Sequence, residues 1–249
     1  MDKGVRRAFD RARDTYREAA RVQAEVAVEC ARLAGDGPLG RVLEIGAGCG
    51  LLTELLAPRT AGPYVALDLS PAMLGALPVP GVLRLAADGE APPLRPGSFD
   101  FLASASAMQW FVRPEVALPA CLDMLRPGGG FVLALFTEGT LAEPAWAARV
   151  SGFGSFWPLR PAGAYESMLA AMPGVRFQTE VREYTLHFPA AREAMRSLRR
   201  SGAGFGGGRP RPDKARYRAF LGAYEERFGE ERGLPLTYRA VFFRGVLGR

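Results

Sequence analysis

The segment Glu44-Ile45-Gly46-Ala47-Gly48-Cys49-Gly50 holds the residues best suited to cradling a ligand with bare backbone. Glycine at every second position lets the chain pass close to a bound molecule and adopt torsions closed to residues with a Cβ. RVLEIGAG (41–48) reads as a buried strand running into these glycines and LLTELLA (51–57) as a helix. Tight strand-to-helix turns also use glycine for purely structural reasons, so the neighbouring acids decide. Asp68 ends the next strand, about 20 residues on, where a carboxylate can accept both hydroxyls of a ribose. Asp88 ends the third strand, within reach of an adenine amino group. Three such positions at the carboxyl ends of successive strands converge on one crevice, which is where open α/β sheets bind ligands.

Two nucleotide classes fit such a crevice. A dinucleotide would want a third glycine in G-x-G-x-x-G spacing and a helix N-terminus free of negative charge for its pyrophosphate. This loop lacks that glycine, and Glu44 precedes it. A nucleoside carrying an ammonium and a sulfonium, S-adenosylmethionine, is better served by carboxylates and carbonyls. Nucleophilic catalytic sets are hard to assemble. The single histidine, His187, lies in a strand-like stretch far from these motifs and reads as structural. Cys30, Cys49 and Cys121 are far apart and odd in number, so they suggest neither a disulfide framework nor a metal pair and favour a reducing compartment. Cys49 reads as a small filler in the loop.

The elements that must position these groups alternate. Strands are expected at 41–48, 64–70, 81–88, 99–106 and 131–136, with helices at 51–57, 71–77 and 114–125, the last ending at Arg126-Pro127-Gly128-Gly129-Gly130. That alternation predicts a mostly parallel sheet covered on both faces. Ahead of it, 5–34 reads as one amphipathic helix or two short ones, stopped by Gly35-Asp36-Gly37-Pro38. Beyond it, 140–150 and 163–172 read as helices around an aromatic loop, GFGSFWPLRP (152–161). VRFQTEVREYTLHF (175–188) alternates with period two as a long strand. A helix at 190–200, a glycine-rich loop at 201–212, a helix at 213–228 and a strand at 237–246 follow.

The chain has 249 residues, 48% hydrophobic and 10% aromatic, which excludes intrinsic disorder. Its net charge is +6, and all but two of its 32 basic residues, Lys3 and Lys214, are arginine. They are spread along the chain, bunching modestly at Arg196–Arg200 and Arg209–Arg218, so nucleic-acid binding is not indicated. No stretch is long and apolar enough to cross a membrane. Asp2, Asp10, Asp14 and Glu18 break the composition of a transit peptide. A cytoplasmic monomer is expected.

EIGAGCG (44–50), LDLSPAML (67–74), ADGEAPPL (87–94), SFDFLASASAMQW (98–110) and LRPGG (125–129) occur in the order of the motifs of class I S-adenosylmethionine-dependent methyltransferases, which this chain resembles over 41–136. The resemblance implies a Rossmann-like seven-stranded sheet with helices on both faces and a last, antiparallel strand. It implies one domain over 1–249: a helical cap at 1–38, a donor-binding core at 39–137, and acceptor-side helices and strands at 138–249. The donor residues it implies are Glu44, Gly46, Ala47, Gly48 and Gly50, then Asp68, Leu69 and Met73, Asp88 and Gly89, and Ser104 and Ala105 at the end of the fourth strand. AFDRARDTY (8–16), AMRSLRRSGA (194–203), PLTY (235–238) and AMQW (107–110) are further similar to the malonyl-acyl-carrier-protein O-methyltransferases of biotin synthesis. GFGSFWPLRP and GAGFGGGRPRP depart from that pattern.

This second likeness implies methylation of the free carboxylate of a malonyl thioester carried by acyl-carrier protein or coenzyme A. A carboxylate has a pKa near 4 and needs no general base at neutral pH. Tyr16, as a lid over the donor, and Trp110 are the expected pocket walls. Gln109 is placed to hydrogen-bond donor or acceptor, and Arg160 is the expected bidentate clamp on the acceptor carboxylate. Arg192, Arg196, Arg199 and Arg200 share one side of a helix, either solvated or facing an acidic carrier protein. Two readings stay open beside this one: a methyltransferase for another small molecule such as a quinone precursor, and a non-catalytic assembly factor keeping the fold.

Overall fold

Short apolar runs, each stopped by glycine or a polar cap, become the inner strands. The computed structural model describes residues 3–203 and 213–248. In chain order they form α1 (Lys3–Ala12), α2 (Tyr16–Ala19), α3 (Arg21–Leu33), β1 (Val42–Ile45), α4 (Thr53–Leu56), β2 (Tyr64–Asp68), α5 (Pro71–Gly75), β3 (Leu83–Ala86), β4 (Phe99–Ala105), α6 (Pro114–Leu122), β5 (Leu125–Phe136), α7 (Ala142–Ser151), α8 (Ala162–Ala170), β6 (Val175–Phe188), α9 (Ala191–Arg200), α10 (Lys214–Phe228) and β7 (Leu234–Leu247).

One sheet joins all seven strands in the order β3-β2-β1-β4-β5-β7-β6. The first five pair in parallel, and β7 runs antiparallel to both its neighbours. The chain steps outward from β1 to β3 and then returns to place β4 on the other side of β1. That reversal is the topological switch point, and the crevice beyond the carboxyl ends of β1 and β4 is where such sheets take ligands. Apolar side chains pack on both faces. Leu43, Ile45, Leu102, Leu133 and Phe243 meet α6 and α8 on one side, and Val42, Ala66, Ala103, Val132 and Phe242 meet α3, α9 and α10 on the other.

The seven-stranded, mostly parallel sheet with an antiparallel last strand matches the expectation, with local differences. The amphipathic N-terminus divides into three helices: residues 13–15 separate α1 from α2, and Ala20 leaves helical geometry (φ −83°, ψ 49°) between α2 and α3. Strand β5 begins at Leu125, so Arg126–Gly130 lies inside it and does not separate a helix from a strand. Phe99 pairs with Leu125 and Phe101 with Gly130 across an irregularity in register that takes up the extra residues. Strand β7 is longer than 237–246 because it pairs with β6 along its whole length, Val175 with Leu247 through Phe188 with Leu234. Strand β6 is an edge strand whose exposed positions are mostly polar, with Arg176 and Glu183 charged, which discourages pairing with another chain. Arg182 there reaches both Glu29 and Glu180. Most of the glycine-rich loop at 201–212 lies outside the described residues, as do Arg209 and Arg211.

Glu44 sits in the middle of the sheet, 1% exposed. The Thr53 and Tyr64 hydroxyls each donate to its Oε2 at 2.6 Å, tying β1 to α4 and β2. Burial pushes its carboxyl up to about 7, although both hydroxyl bonds pull the other way. The unfolded chain gives up that proton near the ordinary value of about 4.3. Glu44 therefore contributes stability that is complete below that value and is lost as the pH rises to about 7. Glu44→Gln keeps an acceptor for both hydroxyls and carries no charge. In urea unfolding, its stability relative to the native chain should improve by about 2–3 kcal/mol between pH 5 and pH 8; a constant difference would contradict this. Gly245 lies where an added Cβ would sit 2.4 Å from the Phe131 ring and 2.5 Å from the Arg176 carbonyl. Gly245→Ala should lower the urea midpoint by the equivalent of about 1–3 kcal/mol.

Candidate functional site

Strand β1 ends in a turn in which Gly46, Gly48 and Gly50 have φ of +75°, +55° and +93°, values that strain any residue with a Cβ. Gly46 also has no room for one: an added Cβ would lie 2.0 Å from that of Ala107. The turn is fastened to β2. The Gly46 and Ala47 amides donate to the Leu67 carbonyl, and the Gly48 amide donates to Asp68 Oδ2 at 2.8 Å. The Ser70 amide donates to Asp68 Oδ1, also at 2.8 Å. Burial pushes the Asp68 carboxyl up, and these two amides pull it back. A carboxylate has about four acceptor positions, so Asp68 keeps capacity for two hydroxyls. The Ser70 hydroxyl caps α5 by accepting from the Met73 amide and donates to Asp10, drawing α1 over the turn.

A cavity of about 810 Å³ opens above this turn. Of the predicted donor residues, Glu44, Gly46, Ala47, Gly48, Asp68, Leu69, Met73, Gly89 and Ala105 line it, and so do Tyr16 and Trp110. Burial, with Cys49 and Asp68 nearby, pushes the Tyr16 phenol up, so its hydroxyl stays protonated. Three predicted residues are off the wall. Gly50 faces away, toward Leu77. Asp88 accepts from the Glu90 amide in the turn beside Gly89. Ser104 is buried, and its hydroxyl donates to the Ile45 carbonyl at 2.8 Å, locking β4 to β1.

A second cavity of about 550 Å³ adjoins the first. Phe9, Tyr16, Gln23, Ser106 and Trp110 line both and form the seam between them. Its other walls include Gln109, Thr140 and a largely apolar set from Phe136, Leu141, Phe156, Trp157, Leu159 and Tyr238. Aromatic rings run along the seam: Phe9 lies 6.0 Å from Tyr16 and 5.9 Å from Trp110, and Trp110 lies 5.6 Å from Trp157.

Arg160 is not at this site. Its side chain is exposed and paired with Glu115 at 3.3 Å, and it lines neither cavity. The backbone of the aromatic loop turns it outward while Trp157 goes in. His187 stands beside Glu230, away from both cavities. On α9, Arg192, Arg196 and Arg199 are exposed, and Arg200 pairs with Glu18.

Sequence reasoning missed Phe9, Gln23, Ser106, Trp157 and Tyr238. Phe9 and Tyr238 lay within quoted motifs, and Trp157 in the loop that fitted no pattern. Ser106 lay within the quoted motif 98–110, but its type gave no sign of a role. It takes a left-handed conformation (φ +58°) just past β4, one of two non-glycine residues among those described that do so. Among the described residues, the buried side-chain atoms without a hydrogen-bond partner are Ser106 Oγ, Gln109 Oε1, Trp110 Nε1 and Tyr184 OH. Native proteins seldom leave such atoms unpaired unless something else satisfies them. Two of the four belong to the seam residues Ser106 and Trp110, and a third to Gln109 on the wall of the second cavity. An acid with spare acceptor capacity, a bare backbone turn, apolar walls and these unpaired atoms fit an S-adenosyl nucleoside on one side and a small polar acceptor on the other.

Comparison with known proteins agrees with this geometry. The methyltransferase-domain family matches residues 43–133. The malonyl-acyl-carrier-protein O-methyltransferase of Chlorobium phaeovibrioides is 33% identical over 94% of this chain and 92% of its own, and that of Dechloromonas aromatica 31% identical over 96% and 92%. Among solved structures, a putative methyltransferase from Bacillus halodurans superposes with a TM-score of 0.65 at 14% identity, covering 90% of this chain and 99% of that one. The crevice at the switch point and the full-length likeness lead to one conclusion: the chain belongs to the malonyl-acyl-carrier-protein O-methyltransferase family of class I methyltransferases.

Proposed function

We propose that this protein transfers the methyl group of S-adenosylmethionine to the free carboxylate of a malonyl thioester on acyl-carrier protein or coenzyme A, giving the methyl ester that primes pimeloyl synthesis on the way to biotin. The observation that carries this reading is the pair of cavities sharing one wall, one floored by the Asp68-anchored turn and the other apolar with a few polar atoms. The names of the relatives support the acceptor.

When bound, S-adenosylmethionine supplies an electrophilic methyl group on a sulfonium. Asp68 takes the ribose hydroxyls on the lone pairs its two amide bonds leave free. Gly89, Leu69 and Met73 flank the adenine, and Asp88 holds the turn beside Gly89 through the Glu90 amide. Gly46, Ala47 and Gly48 offer backbone to the amino-acid end together with Ala105. Glu44, Gly50 and Ser104 act from beneath, holding β1, the turn and β4 in place. Tyr16 covers the donor as a neutral phenol. A malonyl carboxyl is ionised at neutral pH, so the chain need not remove a proton. What it supplies is alignment in a dry chamber, walled by Trp110, Trp157 and Phe136. Residues 1–38 act as the cap, 39–137 as the donor core and 138–249 as the acceptor side, and the exposed arginines of α9 steer an acidic carrier.

The direct test is methyl transfer from S-adenosylmethionine to malonyl-acyl-carrier protein, with a quinol precursor as the competing acceptor. The malonyl substrate should be methylated and the quinol precursor should not; the opposite preference overturns the assignment. Asp68→Ala should weaken binding of S-adenosylhomocysteine by about 100-fold or more in calorimetry. Unchanged affinity would remove Asp68 from the donor site.

A further inference from the structure

We infer that the acceptor carboxylate is held by two neutral donors at the seam, Ser106 Oγ and Trp110 Nε1, and not by an arginine. This rests on the methyl-transfer reading above and concerns how the same site selects an acid.

A carboxylate only accepts hydrogen bonds. Buried in an apolar chamber it needs donors, and an unpaired charge there is costly. Among the described residues, none that lines the second cavity carries a charge, and the arginine on the wall of the first, Arg6, is paired with Asp10. The arginine of the aromatic loop, Arg160, is outside and paired with Glu115. Ser106 Oγ and Trp110 Nε1 are buried, without partners, and belong to residues lining both cavities. They therefore stand where an acceptor in one chamber meets a methyl group in the other. Gln109 Oε1 is also unpaired, but its amide nitrogen donates to the Ser106 carbonyl at 2.8 Å. With that nitrogen engaged, the atom Gln109 has left is an acceptor, which a carboxylate cannot use. The bond has a second effect: it fixes the backbone of Ser106, and a left-handed φ of +58° keeps that side chain turned away from the course of β4. A non-glycine residue in this region is a cost that folded proteins concentrate at functional positions.

The chemistry favours neutral donors. Methylation removes the negative charge of the attacking oxygen, so an arginine pair is strongest before the reaction and weakens as it proceeds. Binding of that kind stabilises the ground state more than the transition state and slows the step. A hydroxyl and an indole N–H orient the acid and leave most of its charge for the approach to the sulfonium.

The test is calorimetry of malonyl-pantetheine, and of acetyl-pantetheine as a neutral control, binding to protein loaded with S-adenosylhomocysteine. Ser106→Ala and Trp110→Phe should each weaken malonyl-pantetheine about tenfold. Affinity for acetyl-pantetheine should stay within about twofold. Ser106→Gly removes the hydroxyl while relieving the left-handed backbone, so it should lose affinity as Ser106→Ala does. Arg160→Ala should change neither ligand. Equal weakening of both ligands, no weakening, a Ser106→Gly variant that binds as the native chain does, or loss of malonyl binding in Arg160→Ala each overturns the inference. A native chain that binds no S-adenosylhomocysteine overturns the methyl-transfer reading itself, and this is seen before any variant is compared.

Discussion

Two backbone amides on one buried carboxylate set the shape of this molecule's working end. Asp68 accepts from Gly48 on one oxygen and Ser70 on the other, so the turn after β1 and the turn after β2 are fixed by the same side chain. Each is a charge-assisted bond in surroundings poor in water, where such bonds are strong. Gly46 then has to lie flat against Ala107, which couples the same turn to the segment after β4. Three strand ends are thereby held in register around the crevice. Beneath them Glu44 serves Thr53 and Tyr64, and Ser104 serves the Ile45 carbonyl. These polar side chains brace the floor, and the side of Asp68 still able to accept is left for the ligand.

From that floor the rest follows by packing. Helix α1 is drawn over the turn through Asp10 and Ser70, bringing Phe9 and Tyr16 onto the seam between the cavities. The Phe9, Trp110 and Trp157 rings meet there at edge-to-face and tilted angles, which fill space without closing either chamber. An apolar chamber next to a braced crevice suits a reaction that needs alignment and exclusion of water more than acid–base help. The absence of histidine from both walls is in keeping with an acceptor that is already ionised.

The parallel core was readable from the chain because its signals are local. Short apolar runs ending in glycine or aspartate mark β1 and β2, and the period-two pattern of 175–188 has the same bounds as β6. Asp68 could be located from its spacing to the glycine loop. Long-range geometry could not be read. Arg126–Gly130 reads as a stop by composition, yet pairing with β4 draws it into β5. Arg160 and Trp157 are three residues apart in one loop, and nothing in their types tells which of them faces inward; the structure sends the arginine to Glu115 and the tryptophan to the chamber. Ser106 is an ordinary serine in sequence. Its interest comes from a backbone angle and a missing partner, both products of tertiary packing.

The central claim is that the Asp68-anchored crevice takes the nucleoside and presents it across the seam to the acid. A crystal structure of the protein with S-adenosylhomocysteine tests this most directly. The account predicts both ribose hydroxyls on the Asp68 carboxylate, with the Gly48 and Ser70 amide bonds kept, and the sulfur facing Ser106 and Trp110. A nucleoside bound elsewhere, or lying in the crevice with its ribose turned away from Asp68, would contradict it.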